Sequence, residues 1–166
     1  MKNNFIHIIL LFLLIASVSS ASSGNKKSFA ISNSYFPVNN GITLVYESSF
    51  GESTTNYSQE GEITISSSKA ENFRYRQALI IKNDGVYTKE TYQYLKIFLF
   101  FKKEASFTYD KPLLRFPLPL LPGMEWQWEG DEYSDGDTNK VRVTGKVLLK
   151  EFIVTKAGRF ETVKLE

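Results

Sequence analysis

Two kinds of hydrophobic pattern run along this chain. The first is a continuous apolar run from Phe5 to Val18, broken only by His7 and Ser17. The second begins near Tyr35, where apolar and polar positions alternate in short segments. Alternation with a period of two marks half-buried antiparallel strands. It is clearest where Phe73, Tyr75, Gln77, Leu79 and Ile81 share one face and Arg74, Arg76 and Lys82 the other. Further strands are predicted at Ile42–Tyr46, Glu62–Ser66, Ala105–Tyr109, Met124–Glu129, Val141–Leu149, Phe152–Thr155 and Phe160–Leu165. Asn83-Asp84-Gly85 predicts a hairpin turn before Val86-Tyr87. The run Tyr92–Phe101 is read as a strand on its aromatic and β-branched content, with a helical turn or two as the alternative, and as ending at Lys102-Lys103-Glu104. No long amphipathic helix is found. The expected fold is mainly β, an antiparallel curved sheet or half-barrel.

The N-terminal run has the three parts of a secretory signal: a short positive start (Lys2), an apolar stretch, and small residues from Ser19 to Gly24. Cleavage after Ala21 or Ser20 fits the small-residue rule, so residues 1–21 are assigned to a signal peptide. A membrane anchor is the rival reading. The run falls short of the roughly 20 apolar residues that a span requires, and it ends in serines. No transmembrane segment is therefore expected after cleavage, and the expected location is secreted or periplasmic. Residues 22–34 read as a flexible lead-in, and residues 35–166 as one β-rich domain of about 130 residues, a size that supports a single core.

One part of the sequence echoes another. Phe36-Pro37, Gly41 and Tyr46 recur as Phe116-Pro117, Gly123 and Trp128, with an aromatic five residues after the glycine in both. The physical reading is a proline-stiffened loop, a glycine turn and a strand start, used twice. An internally duplicated sheet unit and a chance recurrence of loop-then-strand grammar are both open.

Composition mostly excludes. The chain has no cysteine, so neither disulfides nor a lipidated N-terminal cysteine are available. The net charge of +2 falls further when Lys2 leaves with the signal, and no basic block is present, so nucleic acid is not an expected partner. The only histidine, His7, lies in the signal. A chain with neither His nor Cys after residue 21 has no Ser-His-Asp or Cys-His nucleophile and no imidazole or thiolate metal site. No catalytic residue, metal or cofactor is assigned. In Asp131-Glu132-Tyr133-Ser134-Asp135-Gly136-Asp137 an EF-hand reading puts Tyr133 at position 3 and Arg142 at position 12, so the motif fails. Asp135-Gly136 is a hairpin turn instead. Asn56-Tyr57-Ser58 is a glycosylation sequon that has meaning only in a eukaryotic source.

Tyr35-Phe36-Pro37-Val38 with Gly41 and Tyr46 resembles the "YFPL..G..W.Y" opening of a group of exported bacterial proteins of unknown function. Phe116-Pro117-Leu118 with Gly123 and Trp126, and the "AG.F" strand around Ala157-Gly158-Arg159-Phe160, resemble two further elements of that group. Its members are similar in outline to periplasmic lipoprotein carriers, in which an open antiparallel half-barrel cups an apolar ligand. The resemblance implies a binding role, and also sequence beyond Glu166, so that the domain reads as truncated at its C-terminus with an unpaired edge.

Two tryptophans, Trp126 and Trp128, fall on one face of a strand. Exposed, they would form a stacking platform for a sugar. Buried, they would anchor the core beneath the proline-rich stretch Pro112–Pro122, which is read as a packed loop or as part of a ligand-holding concavity. The candidate ligand-binding residues are Trp126, Trp128, Tyr94, Phe98 and Phe100. The expected partner is a lipid or other apolar or amphipathic ligand, or an envelope component; the alternative is a carbohydrate-binding module using Trp126 and Trp128.

Overall fold

A computed structural model describes residues 41–48, 51–97 and 101–166. The signal-peptide and lead-in assignments, and the candidates Phe98 and Phe100, lie outside the described residues. Among the described residues nine strands follow one another as a meander: β1 (Thr43–Ser48), β2 (Gly51–Glu60), β3 (Ile63–Lys69), β4 (Phe73–Lys82), β5 (Gly85–Ile97), β6 (Phe101–Pro117), β7 (Glu125–Ser134), β8 (Asp137–Thr155) and β9 (Gly158–Leu165). Each pairs antiparallel with the next in a single nine-stranded sheet that does not close into a barrel. The mainly β, antiparallel fold predicted from the alternation is the fold observed.

Short turns set the register. Asp135 and Gly136 both have positive φ, 52° and 86°. Their backbone twist matches that of the flanking strands, which is why Asp-Gly is favoured in two-residue hairpins. The turn fixes Ser134 opposite Asp137, and from there Glu125 opposite Lys146 ten residues away. Asn83-Asp84 performs the same role between β4 and β5, with Lys82 opposite Gly85.

Three sequence expectations are corrected. Tyr92–Phe101 is not one strand: β5 ends at Ile97, β6 starts at Phe101, and these two residues face each other. Lys102-Lys103-Glu104 does not end a strand either, but pairs with Lys96, Leu95 and Tyr94. The exposed end of a ladder tolerates charge because its side chains reach water. Pro112–Pro117 belongs to β6, not to a loop. Pro112 lies in an irregular stretch where Tyr109–Pro112 oppose only Lys89, and Pro117 ends the strand. Proline lacks the N–H a ladder needs, and these are the two kinds of place that do not ask for it.

The sequence echo has a backbone counterpart. Gly41 and Gly123 have φ of 82° and 84°. The Gly41 N–H donates to the Tyr57 carbonyl and the Tyr57 N–H to the Ile42 carbonyl; likewise Gly123 donates to Val147 and Val147 to Met124. The bracketed residues Tyr57 and Val147 are both buried. In each copy the aromatic five residues on lies opposite the residue four before the bracketed one: Tyr46 opposite Ser53, and Trp128 opposite Val143. The two units therefore share turn, bracket and register.

The two sheet faces differ. One, here the inner face, carries the buried side chains of Leu44, Thr55, Tyr57, Ser66, Gln77, Leu79, Thr91, Trp128 and Val147. The outer face carries cross-strand ion pairs: Arg76–Glu90, Asp131–Lys140 and Glu125–Lys146 at 2.6–2.7 Å, and Glu129–Arg142. In the three β7–β8 ion pairs the acid sits on β7 and the base on β8. Such exposed pairs specify register more than they add stability. The sheet is curled. The Arg115 guanidinium on β6 acts electrostatically on Tyr57, which is on β2, and Lys156 at the β8–β9 turn reaches Glu47 on β1 at 2.8 Å.

Candidate functional site

The inner face is built mostly from hydroxyls and aromatic rings. On β2 the inward positions are Ser53, Thr55 and Tyr57; on β3 they include Ser66 and Ser68, and the Thr55 and Ser68 hydroxyls are 2.7 Å apart. Tyr75 and Gln77 follow on β4, Thr91 on β5, and Tyr109 on β6 opposite Glu132 of β7. Arg115 donates to the Gln77 side-chain carbonyl at 2.7 Å. Leu44, Leu79, Val86, Ala105 and Phe116 are buried apolar side chains of the same face. The result is an inner face that combines the Arg115 guanidinium, the Glu132 carboxylate and several neutral hydroxyls with apolar side chains.

Burial dominates the electrostatics of these tyrosines. The Tyr57 and Tyr75 hydroxyls are pushed above the usual phenol range by burial, partly offset by hydrogen bonds from neighbours and by the charge of Arg115. Burial and then the nearby Glu132 and Tyr75 push Tyr109 up to about 12. Tyr46 rises through burial and the adjacent Tyr57. All four hold their protons far above neutral pH, so they offer hydrogen bonds rather than proton abstraction.

Trp126 and Trp128 share the inner face, as the spacing predicts. Trp128 is buried, with 6% of its surface exposed. Its indole N–H donates to the Pro112 carbonyl at 3.1 Å, and its ring meets Tyr109 edge-on, with centroids 5.7 Å apart. It anchors the proline-containing part of β6, as the buried reading expects. A Cβ on Gly130 would lie 2.6 Å from the Trp128 ring, and one on Gly145 2.2 Å from that of Trp126. Glycine is required at both because an indole occupies the space of a side chain. Trp126 is only half-buried, and its indole nitrogen has no hydrogen-bond partner. A shallow hollow of about 580 Å³ adjoins it, lined by Glu125, Trp126, Gln127, Thr144, Gly145, Lys146 and Glu166.

The structure does not gather all the candidates. Tyr94 pairs with Arg74 and Glu104, and the Arg74 guanidinium lies 5.3 Å from its ring centre. It is on the outer face, opposite to the tryptophans, because β5 alternates and Thr91 and Gln93 take the inner positions. Sequence reasoning passed over Arg115, Gln77, Tyr57 and Tyr109 as site residues. The sequence carries no signal for the β2 positions, because Thr54 and Ser58 on the outer face bear hydroxyls just as Ser53, Thr55 and Tyr57 on the inner face do.

Among the described residues no helix is long and apolar enough to cross a membrane, and no cluster of three or more potential metal-ligating side chains is present. Compared with protein-family models, curated proteins and solved structures, the chain matches none.

Proposed function

We propose that this chain is an exported, non-catalytic, carrier-like protein, secreted or periplasmic, that binds an amphipathic ligand on the inner face of its curled sheet. The observation that carries this reading is Arg115. Its guanidinium, bonded to buried Gln77 and felt by Tyr57 and Tyr75, lies on an inner face whose other groups are hydroxyls, apolar side chains and, on β7, the Glu132 carboxylate. A cation in such surroundings suits an anionic head group, because lower local polarity strengthens the attraction. The partly exposed Phe107, opposite Thr91, and Val143, opposite Trp128, supply apolar surface for an acyl chain. The raised tyrosines, and a sequence without cysteine whose only histidine is His7, support binding over catalysis. The signal-like N-terminus supports export.

Delipidated protein titrated with a fatty acid anion tests this. Saturable binding with a change in tryptophan emission is expected, since Trp128 packs on the same face. No uptake, with emission unchanged, would count against the reading.

A second reading rests on Trp126. Its half-buried ring and the adjoining hollow with Glu125, Gln127, Thr144, Lys146 and Glu166 supply the aromatic surface and polar edges that a sugar uses. With Trp128 buried, such a module would rely on Trp126 alone. Trp126→Ala should then abolish retention on a polysaccharide column and leave the fold intact.

A further inference from the structure

The β5–β6 hairpin projects from one end of the sheet. β4 accompanies it only as far as Phe73, opposite Leu95, and β7 joins β6 only at Thr108 and Tyr109. On the β7 side the hairpin therefore stands about 20 Å clear of the other described strands, at about 3.4 Å per residue. At its end Ile97 pairs with Phe101, Lys96 with Lys102 and Leu95 with Lys103. Phe101 is 59% exposed. The residues between Ile97 and Phe101 in sequence are Phe98, Leu99 and Phe100, so the chain reverses through side chains that are all apolar. Hairpin connections are usually made of Gly, Asn, Asp and Ser, as at Asp135-Gly136. The lysines are equally unusual. Like charges directly opposite are unfavourable, and among the described residues neither Lys96 nor Lys102 forms an ion pair. Lys69, Arg74 and Lys103 add positive charge to this end, against Glu71 and Glu104.

We propose that this hairpin end docks on an anionic lipid surface, with Phe101 entering the apolar boundary and Lys96 and Lys102 meeting lipid phosphates. The order of the side chains along the hairpin argues for this occupant. Phe101 comes first, the Lys96–Lys102 pair next, and then Tyr94 opposite Glu104, with the Arg74 guanidinium 5.3 Å from the Tyr94 ring centre. These levels span about 10 Å. A bilayer presents matching layers over a similar depth: hydrocarbon, then phosphates, then an interface that tyrosine and arginine favour. Phosphates on both sides of the hairpin also relieve the opposition of Lys96 and Lys102, because each lysine gains its own counter-anion. Phe101 and Arg115 lie at opposite ends of β6, so this surface is separate from the inner-face site.

All nine described strands lie within Thr43–Leu165, so the chain without residues 1–21 keeps the whole sheet and lacks the apolar N-terminal run. This form is floated with vesicles of phosphatidylcholine alone, or of phosphatidylcholine and phosphatidylglycerol in equal parts. It should rise with the anionic vesicles, stay behind with the neutral ones, and be released by added salt. Lys96→Gln and Lys102→Gln should each weaken binding about fivefold, and Phe101→Asp about tenfold or more. Lys140→Gln removes the same charge from β8 and should leave binding unchanged. Near-ultraviolet circular dichroism should be the same for all four variants, since each side chain lies on the surface. Equal binding to both kinds of vesicle, binding to neither, or a loss with Lys140→Gln as large as with Lys102→Gln overturns the proposal. So does a dimer, seen by sedimentation without lipid, that Phe101→Asp dissolves, because the tip would then belong to a second copy.

Discussion

The indole N–H of Trp128 donates to the carbonyl oxygen of Pro112 at 3.1 Å, joining β7 to the irregular stretch of β6. β6 and β7 are paired in register only at Thr108–Tyr133 and Tyr109–Glu132, so this side-chain bond does what a longer ladder does elsewhere in the sheet. Trp128→Phe should keep most of the packing and leave the Pro112 carbonyl without its donor, at a cost of about 1–2 kcal/mol. Trp128→Ala should cost about 3–5 kcal/mol. Urea unfolding of the two variants measures both, and a neutral Trp128→Ala would contradict the assignment of this ring to the core.

The glycine brackets make a paired prediction. Gly41 and Gly123 hold the same positive φ and donate to the residues that close their respective units. An L-side chain in that conformation costs roughly 1–2 kcal/mol, and a Cβ at either position meets no neighbouring atom, so backbone strain alone should set the cost. Gly41→Ala and Gly123→Ala should therefore destabilise by similar amounts in thermal melts. A large loss at one and none at the other would show that the two brackets are not equivalent.

Gly145 differs from these. A Cβ there would collide with the Trp126 ring at 2.2 Å. Gly145→Ala should cost about 1–3 kcal/mol through overpacking and shift tryptophan emission. In a Trp126→Leu background the same substitution should cost much less, and an undiminished cost in the double variant would place the strain elsewhere.

Stability should fall at both ends of the pH scale. Glu125 is held below its usual carboxylate range by its hydrogen bond and ion pair with Lys146. A carboxylate depressed in the folded state contributes stability above its unfolded pKa and loses it as pH drops through the folded value. This pair is exposed, so its share is small: stability should decline slightly below about pH 4.3, the unperturbed glutamate value, and Lys146→Gln should lessen that decline. Tyr109, raised to about 12 by burial and Glu132, acts in the opposite direction. Between its unfolded pKa of about 10 and its folded value the unfolded chain ionises first, so stability falls as pH rises. Tyr109→Phe should lessen that fall, as followed by circular dichroism across an alkaline titration.

The sequence made some strands legible and concealed others, for one physical reason. β4 is plain because Phe73, Tyr75, Leu79 and Ile81 alternate with Arg74, Arg76 and Lys82. β2 was invisible: its inward residues are Ser53, Thr55 and Tyr57, so hydrophobicity does not alternate although burial does. The hairpin within Tyr92–Phe101 was hidden because both of its arms are apolar, and the charges of Lys102–Glu104 mimicked a strand end. The site followed the same rule. The tryptophans were found by their spacing, whereas Arg115 lies in the irregular part of β6, where counting by two fails. Tyr94 was misplaced because one strand alone does not reveal which face the neighbouring strands bury.

The most direct test of the central claim is calorimetric titration of delipidated protein with oleate and with oleyl alcohol, for the unaltered chain and for Arg115→Gln. Anionic-head recognition on the inner face predicts saturable oleate binding at one site, weaker binding of the neutral alcohol, and a loss of about tenfold or more in oleate affinity on substitution, or roughly 1.4 kcal/mol. Equal affinity for acid and alcohol, unaffected by Arg115→Gln, would contradict it.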